Sequence, residues 1–99
     1  MSKIKVKYCG LKTTEDIKAA VEARVDAIGL VFVEKSPRYI HPEKAVELSM
    51  KARCAGIKVV ALFVDHPVKF VQYIIKAVKP DILQFHGSET AAFCEQFEQ

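Results

Sequence analysis

The sequence predicts an α/β fold built on a parallel sheet. Three observations predict it: four apolar runs recur along the chain, a segment with helical spacing follows each, and the connections are short. Strict strand–helix alternation with short links is the pattern of parallel strands joined by right-handed crossovers.

The strand-like runs are Ile4 to Cys9, Ala27 to Val33, Val59 to Val64 and Ile82 to His86. The second and third are near-continuous aliphatic stretches, as strands covered on both faces are. After the first run, Thr13 fits an N-cap with Asp16 three residues on, and Glu15 adds negative charge to the first turn. Ile17, Ala20, Val21 and Arg24 then share a helical face, with the arginine at its margin. After the second run, Pro42 suits a first helical position. Ala45, Leu48, Ala52 and Ala55 form the apolar stripe, and Gly56 supplies a left-handed cap. After the third, Pro67 opens a helix with the stripe Val68, Val71, Ile75 and Val78, and Pro80 stops it. Asp65 is the expected cap of that helix. After the fourth, Ser88 caps a helix containing Ala92, Phe93 and Phe97. Two architectures satisfy this order: a doubly wound open sheet, or one half of an eight-stranded barrel. No linker or low-complexity tract interrupts residues 1–99, which read as a single domain.

Composition narrows the function. Of 99 residues, 51% are hydrophobic and 27% charged, and the formal net charge is +3. That charge favours anionic ligands weakly and is too small to argue for nucleic acid. No run approaches the roughly 18 to 20 apolar residues of a membrane span. Met1 to Lys7 alternate charge and apolarity, unlike a signal peptide, so a cytoplasmic protein with no membrane partner is expected. Cys9, Cys54 and Cys94 are odd in number and widely spaced, which argues against a disulfide framework or a zinc knuckle. The plain expectation for each is a small buried hydrophobe.

In parallel α/β folds, ligands gather at the C-terminal ends of the strands. The residues there are Cys9, Arg38, Asp65, His66 and His86. Each also has a structural reading: Cys9 as core, Arg38 as a solvated cation, Asp65 as a cap, His66 as a turn residue, His86 as a partner of nearby backbone. Gly10 and Gly87 allow tight strand exits. Taken alone, these residues define a binding rim and no named reaction.

The local words are more specific. Val6-Lys7-Tyr8-Cys9-Gly10-Leu11-Lys12 with Glu15-Asp16 resembles the start of the phosphoribosylanthranilate isomerases. Ile28-Gly29-Leu30-Val31-Phe32 with Ser36-Pro37-Arg38, then Leu62-Phe63-Val64-Asp65, then Leu83-Gln84-Phe85-His86-Gly87 are similar to that family's second, third and fourth strand motifs, in order. The resemblance implies an α/β fold that is the parallel (βα)4 half of a TIM-type (β/α)8 barrel, with the second half absent from residues 1–99. It implies an Amadori rearrangement of N-(5-phosphoribosyl)anthranilate in tryptophan biosynthesis, with no cofactor and no metal. Cys9 matches the catalytic base. Arg38 matches an arginine that binds the anthranilate carboxylate, and His86 a histidine near the reacting sugar. The general acid and the phosphate loops belong to the family's second half, so these residues alone should be inactive and should self-associate or pair with that half. Where the family has Gly-Ala-Asp before its second strand, this chain has Arg24-Val25-Asp26, so the first helix should end without an easy left-handed cap.

Two other functions fit the alternation. A flavodoxin-like phosphoacceptor module would use Asp65, but it needs acidic residues at the end of strand one, where this chain has Tyr8-Cys9-Gly10. Another phosphosugar enzyme on the same barrel is the second, since the fold hosts many chemistries.

Overall fold

The computed structural model describes residues 7–85 and 87. His86, Cys94, residues 4–6 of the first expected strand and the expected helix after Ser88 lie outside the described residues. The elements alternate as β1 (Lys7–Cys9), α1 (Thr14–Glu22), β2 (Ala27–Val31), α2 (Pro42–Cys54), β3 (Lys58–Phe63), α3 (Val68–Val78) and β4 (Ile82–Phe85). The four strands form one sheet in the order β1-β2-β3-β4, every neighbouring pair parallel.

That order decides between the two architectures. A doubly wound sheet reverses its strand order at a switch point. Here each strand adds beside the last. Right-handed crossovers taken always in one direction put every helix on the same face, as in a barrel wall. The flavodoxin-like alternative loses its topology. Burial agrees with a one-sided helical layer. Ile28, Leu30 and Phe32 from the second strand region and Val59, Ala61 and Phe63 from β3 pack with Ile17, Ala45, Leu48, Val71 and Ile74 of the helices. The alternate positions Gly29, Val31, Val60 and Leu62 face the other way, because successive strand residues point to opposite faces.

The strand ends differ from expectation by a residue or two. β2 stops at Val31 because the chain turns at once: the Ser36 N–H donates to the Val33 carbonyl at 2.9 Å. β3 stops at Phe63 because the Val64 N–H donates to His66 Nδ1 at 3.1 Å instead of to a strand.

The helix termini carry most of the local coding. Thr13 caps α1, and its hydroxyl accepts from the Asp16 N–H at 3.1 Å. The Asp16 carboxylate in turn accepts from the backbone N–H of Thr13 (3.0 Å), completing a capping box, and also from that of Lys12 (2.9 Å). Those bonds, that from Lys12 first, hold the Asp16 carboxyl below its ordinary range. A lowered folded value means the stabilisation is complete above the ordinary aspartate pKa and is lost as pH falls through the lowered one. Pro42 occupies the first turn of α2, with the His41 ring accepting from the Glu43 N–H. Gly56, at φ +77, ends α2: its N–H bonds to Arg53 and the Ile57 N–H to Ala52.

Three expectations are corrected. Asp65 does not cap α3. Pro67 takes the cap position, no side chain bonds there, and Asp65 stands one residue earlier than a cap's neighbour, in a left-handed turn at φ 54. Val21 and Arg24 do not share the buried face of α1, where Ile17 and Ala20 are buried and Val21 is 41% exposed. Most tellingly, α1 does end in a left-handed cap without glycine. Arg24 adopts φ 57, its N–H bonds to Val21, and the Val25 N–H reaches Ala20. Burial of Val25 in the core holds this motif despite the cost of the Arg24 Cβ.

The α3 terminus is tied to its neighbour instead. Ser49 Oγ, fully buried on α2, donates to the Val78 carbonyl at 3.0 Å, and Arg53 Nη1 donates to Lys79 O at 2.8 Å. No helix among the described residues is long and apolar enough to cross a membrane.

The left-handed arginine yields a test. Arg24→Gly should stabilise the fold by about 1 kcal/mol, since a left-handed L-residue costs roughly 1–2 kcal/mol and glycine's extra freedom when unfolded offsets part of the gain. A urea titration reads this as a higher midpoint at unchanged slope. An unchanged or lower midpoint would show that Arg24 is not strained.

Candidate active site

The rim at the strand C-termini is built from backbone upward. Cys9, the last residue of β1, pairs in register with Gly29 of β2. Gly29 is opposite in parity to the buried Ile28 and Leu30, so both residues of the pair face away from the helices, onto the side that a closed barrel encloses. Gly29 leaves space for the thiol. A Cβ added there would lie 2.8 Å from Cys9 Sγ, with an ordinary backbone conformation otherwise. The Cys9 side chain is exposed, as is Cys54 on α2, which corrects the expectation of buried cysteines.

β1 keeps its pairing one residue further. The Gly10 N–H donates to the Gly29 carbonyl at 2.9 Å, and Gly10 then turns at φ +80. Across Gly10 lies the aliphatic stem of Arg38, whose Cδ, Cγ and Cβ come within 2.6 to 2.9 Å of where a Cβ would stand. The thiol and the arginine are therefore next-door features of one turn.

Arg38 belongs to a folded segment between β2 and α2. Its N–H donates to Ser36 Oγ at 3.0 Å. The Tyr39 N–H bonds to Ser36 O at 3.0 Å, and the Ile40 N–H returns to Val31 O at 2.9 Å, closing the segment onto the end of β2. Its outer edge is met by Lys12, whose Nζ donates to Pro37 O at 3.1 Å.

The other two described candidates at the rim have structural work. His66 accepts the Val64 N–H on Nδ1, so its proton sits on Nε2, which donates to the Phe32 carbonyl at 2.8 Å. Its ring stacks on Phe70 at 4.9 Å between centroids, and Phe63 meets its edge. More than a turn residue, His66 locks the exits of β2 and β3 together, and both its nitrogens are engaged. Asp65 packs against the backbone beyond β4: a Cβ on Gly87 would meet its carboxylate at 2.7 Å. A groove of about 490 Å³ lies at the exits of β2 and β3, lined by residues such as Phe32, Tyr39, His66 and Phe70; Cys9 is not among its lining residues.

Sequence reasoning singled out Cys9 and Arg38, and the fold brings them together. It missed Gly29 as the seat of the thiol. The signal was present, since an isolated glycine inside an aliphatic strand marks a close approach. His86, the third candidate, lies outside the described residues.

Four parallel strands in sequence order with their helices on one face, and a strand-end thiol beside a loop arginine at the rim, define the class: half of a β/α-barrel. Residues 6–99 match the family model of N-(5'-phosphoribosyl)anthranilate (PRA) isomerase. The isomerase of Dechloromonas aromatica is 46% identical over 95 residues, covering 96% of this chain and 45% of that protein. That of Geobacter sp. is 47% identical over 90 residues, covering 91% and 44%. The crystal structure of phosphoribosyl anthranilate isomerase from Thermotoga maritima superposes with a TM-score of 0.88 at 33% identity, covering 95% of this chain and 45% of that one. A phosphoribosyl anthranilate isomerase solved in complex with reduced 1-(O-carboxyphenylamino)-1-deoxyribulose 5-phosphate also gives 0.88 at 33% identity, covering 95% and 48%. The chain belongs to the N-(5'-phosphoribosyl)anthranilate isomerase family. It spans about half the length of the curated relatives it matches.

The seat of the thiol can be tested without any substrate. Gly29→Ala should destabilise the fold by about 1–3 kcal/mol, the usual range for overpacking. In a Cys9→Ala background the same change should cost less, with a coupling of at least about 0.5 kcal/mol. Denaturation of the four proteins of this cycle measures it, and strict additivity would mean that Gly29 and the thiol do not share the space.

Proposed function

We propose that these residues are the N-terminal half of a cytoplasmic phosphoribosylanthranilate isomerase, which converts N-(5-phosphoribosyl)anthranilate to 1-(2-carboxyphenylamino)-1-deoxyribulose 5-phosphate in tryptophan biosynthesis. The observation that carries the proposal is the exposed Cys9 thiol on the inner face, one residue from the seat of Arg38.

The chemistry asks for those two groups in that order. A general acid opens the ribose ring to a Schiff base. A general base then removes the proton from C2 of the sugar, and the enolamine ketonises. Cys9 is the base. As a thiolate it takes a carbon-bound proton at a strand end, where the scaffold holds it rigidly. Arg38 receives the benzoate carboxylate, for which a planar guanidinium offers paired donors. Its stem crosses Gly10, so the anchored ring and the base are set by one backbone turn. His86 positions the sugar by hydrogen bonding. The acid is an aspartate of the second half, and Asp65, packed on Gly87, is not that group. Phosphate is held by the loops after the seventh and eighth strands.

In an eight-stranded enzyme carrying these residues as its first half, Cys9→Ala should abolish most turnover while leaving the affinity for a reduced product analogue within about tenfold, because a base acts in the transition state. Near-normal kcat in that variant would refute the assignment. Arg38→Ala should instead weaken the same analogue by about 1–3 kcal/mol, read by calorimetry, as expected for losing a charged hydrogen bond.

A further inference from the structure

We propose that Lys12 is a positioning residue: its ammonium fixes the Ser36-Pro37-Arg38 loop so that Arg38 stays laid across Gly10, beside the thiol. The inference rests on the assignment of Arg38 to the substrate carboxylate.

The loop's own bonds explain its shape and not its position. Ser36 ties to Val33, Tyr39 and Arg38 tie to Ser36, and Ile40 ties to Val31, so every one of these bonds joins the loop to itself or to the strand it leaves. The aliphatic contact of Arg38 with Gly10 is unspecific in direction and allows the stem to slide. The bond that crosses from another βα unit to the tip of the loop is Lys12 Nζ to Pro37 O, 3.1 Å, between residues 25 apart in sequence. It grips the carbonyl of the peptide that leads directly into Arg38.

Lys12 is itself well placed to grip. Its backbone N–H is held at 2.9 Å by the same Asp16 carboxylate that closes the capping box at the start of α1. The lysine thus rises from a fixed helix start, two residues after the glycine that seats the arginine. The path runs from α1 through Asp16 and Lys12 to Pro37, and returns through Arg38 to Gly10 and Cys9. This closed circuit holds the guanidinium arm and the base in fixed relation. Its ammonium donates to a neutral carbonyl, so the loop is tethered without cancelling the positive charge that favours an anionic substrate at this rim.

The test is steady-state kinetics in an eight-stranded enzyme carrying these residues as its first half, with N-(5-phosphoribosyl)anthranilate as substrate. The proteins are the unaltered enzyme, Lys12→Met, Lys12→Arg, Arg38→Ala and Lys12→Met with Arg38→Ala. Losing one tethering hydrogen bond should raise KM about three- to tenfold in Lys12→Met, with kcat within about twofold. Lys12→Arg restores the donor and should recover most of that loss. In the Arg38→Ala background, Lys12→Met should change nothing further. A KM unmoved by Lys12→Met while Arg38→Ala raises it would overturn the positioning role alone. A full Lys12 effect persisting without Arg38 would also overturn it, making Lys12 a direct ligand of substrate. If Arg38→Ala leaves KM unchanged, the assignment of Arg38 fails first and the role of Lys12 falls with it.

Discussion

The rim depends on one topological constraint: four parallel strands laid side by side in sequence order, each reached by a right-handed crossover. With that order fixed, the helices have one face available, and the strands all exit at the same edge. Cys9 and the loop carrying Arg38 are 29 positions apart along the chain and adjoin at that edge because β1 and β2 are neighbours in register. The same constraint divides the side chains. Ile28, Leu30, Val59 and Ala61 are spent on the helical layer, which leaves Cys9 and Gly29 on the side a closed barrel encloses. The proposed site and the helix-packed core therefore draw on alternate residues of the same strands.

Local strain is distributed in a consistent way. Arg24, Asp65 and Lys79 all take left-handed conformations that glycine would adopt at less cost. Arg24 and Lys79 end helices, where a buried neighbour or the bonds from Ser49 and Arg53 repay the strain. Asp65 is different. It lies at the exit of β3 against Gly87, so its strained turn brings two rim segments together. The two glycines nearest the thiol serve distinct needs: Gly10 turns the chain and seats an arginine, while Gly29 keeps a regular strand free of a side chain.

Features encoded within a few residues were legible in the sequence. The Thr13–Asp16 capping box, Pro42 in the first turn of α2 and Gly56 after it all appear as read, because each is settled by bonds local to its own helix end. The parallel sheet was legible from alternation, whereas the barrel wall was legible only through the ordered family motifs, since strand order is a property of long-range pairing that periodicity does not carry. The α3 start was misread because Asp65 obeys its neighbour across the rim rather than the helix it precedes. His66 looked like a turn residue because its partners, Phe32 and Phe70, come from two other elements. At the site, the Cys9 and Arg38 candidates came from strand-end logic and motif resemblance. Their meeting over Gly10 came only from the fold.

In the proposed enzyme this half supplies the base and the carboxylate anchor, and a complementary half supplies the acid and the phosphate loops. The most direct test mixes the purified 99-residue chain with a separately produced second half from the Dechloromonas aromatica relative and follows isomerisation of N-(5-phosphoribosyl)anthranilate. Either half alone should give no rate above background, the mixture a measurable rate, and the mixture with Cys9→Ala in the first half no rate. Turnover by the 99 residues alone, or an undiminished rate from the mixture with Cys9→Ala, would contradict it.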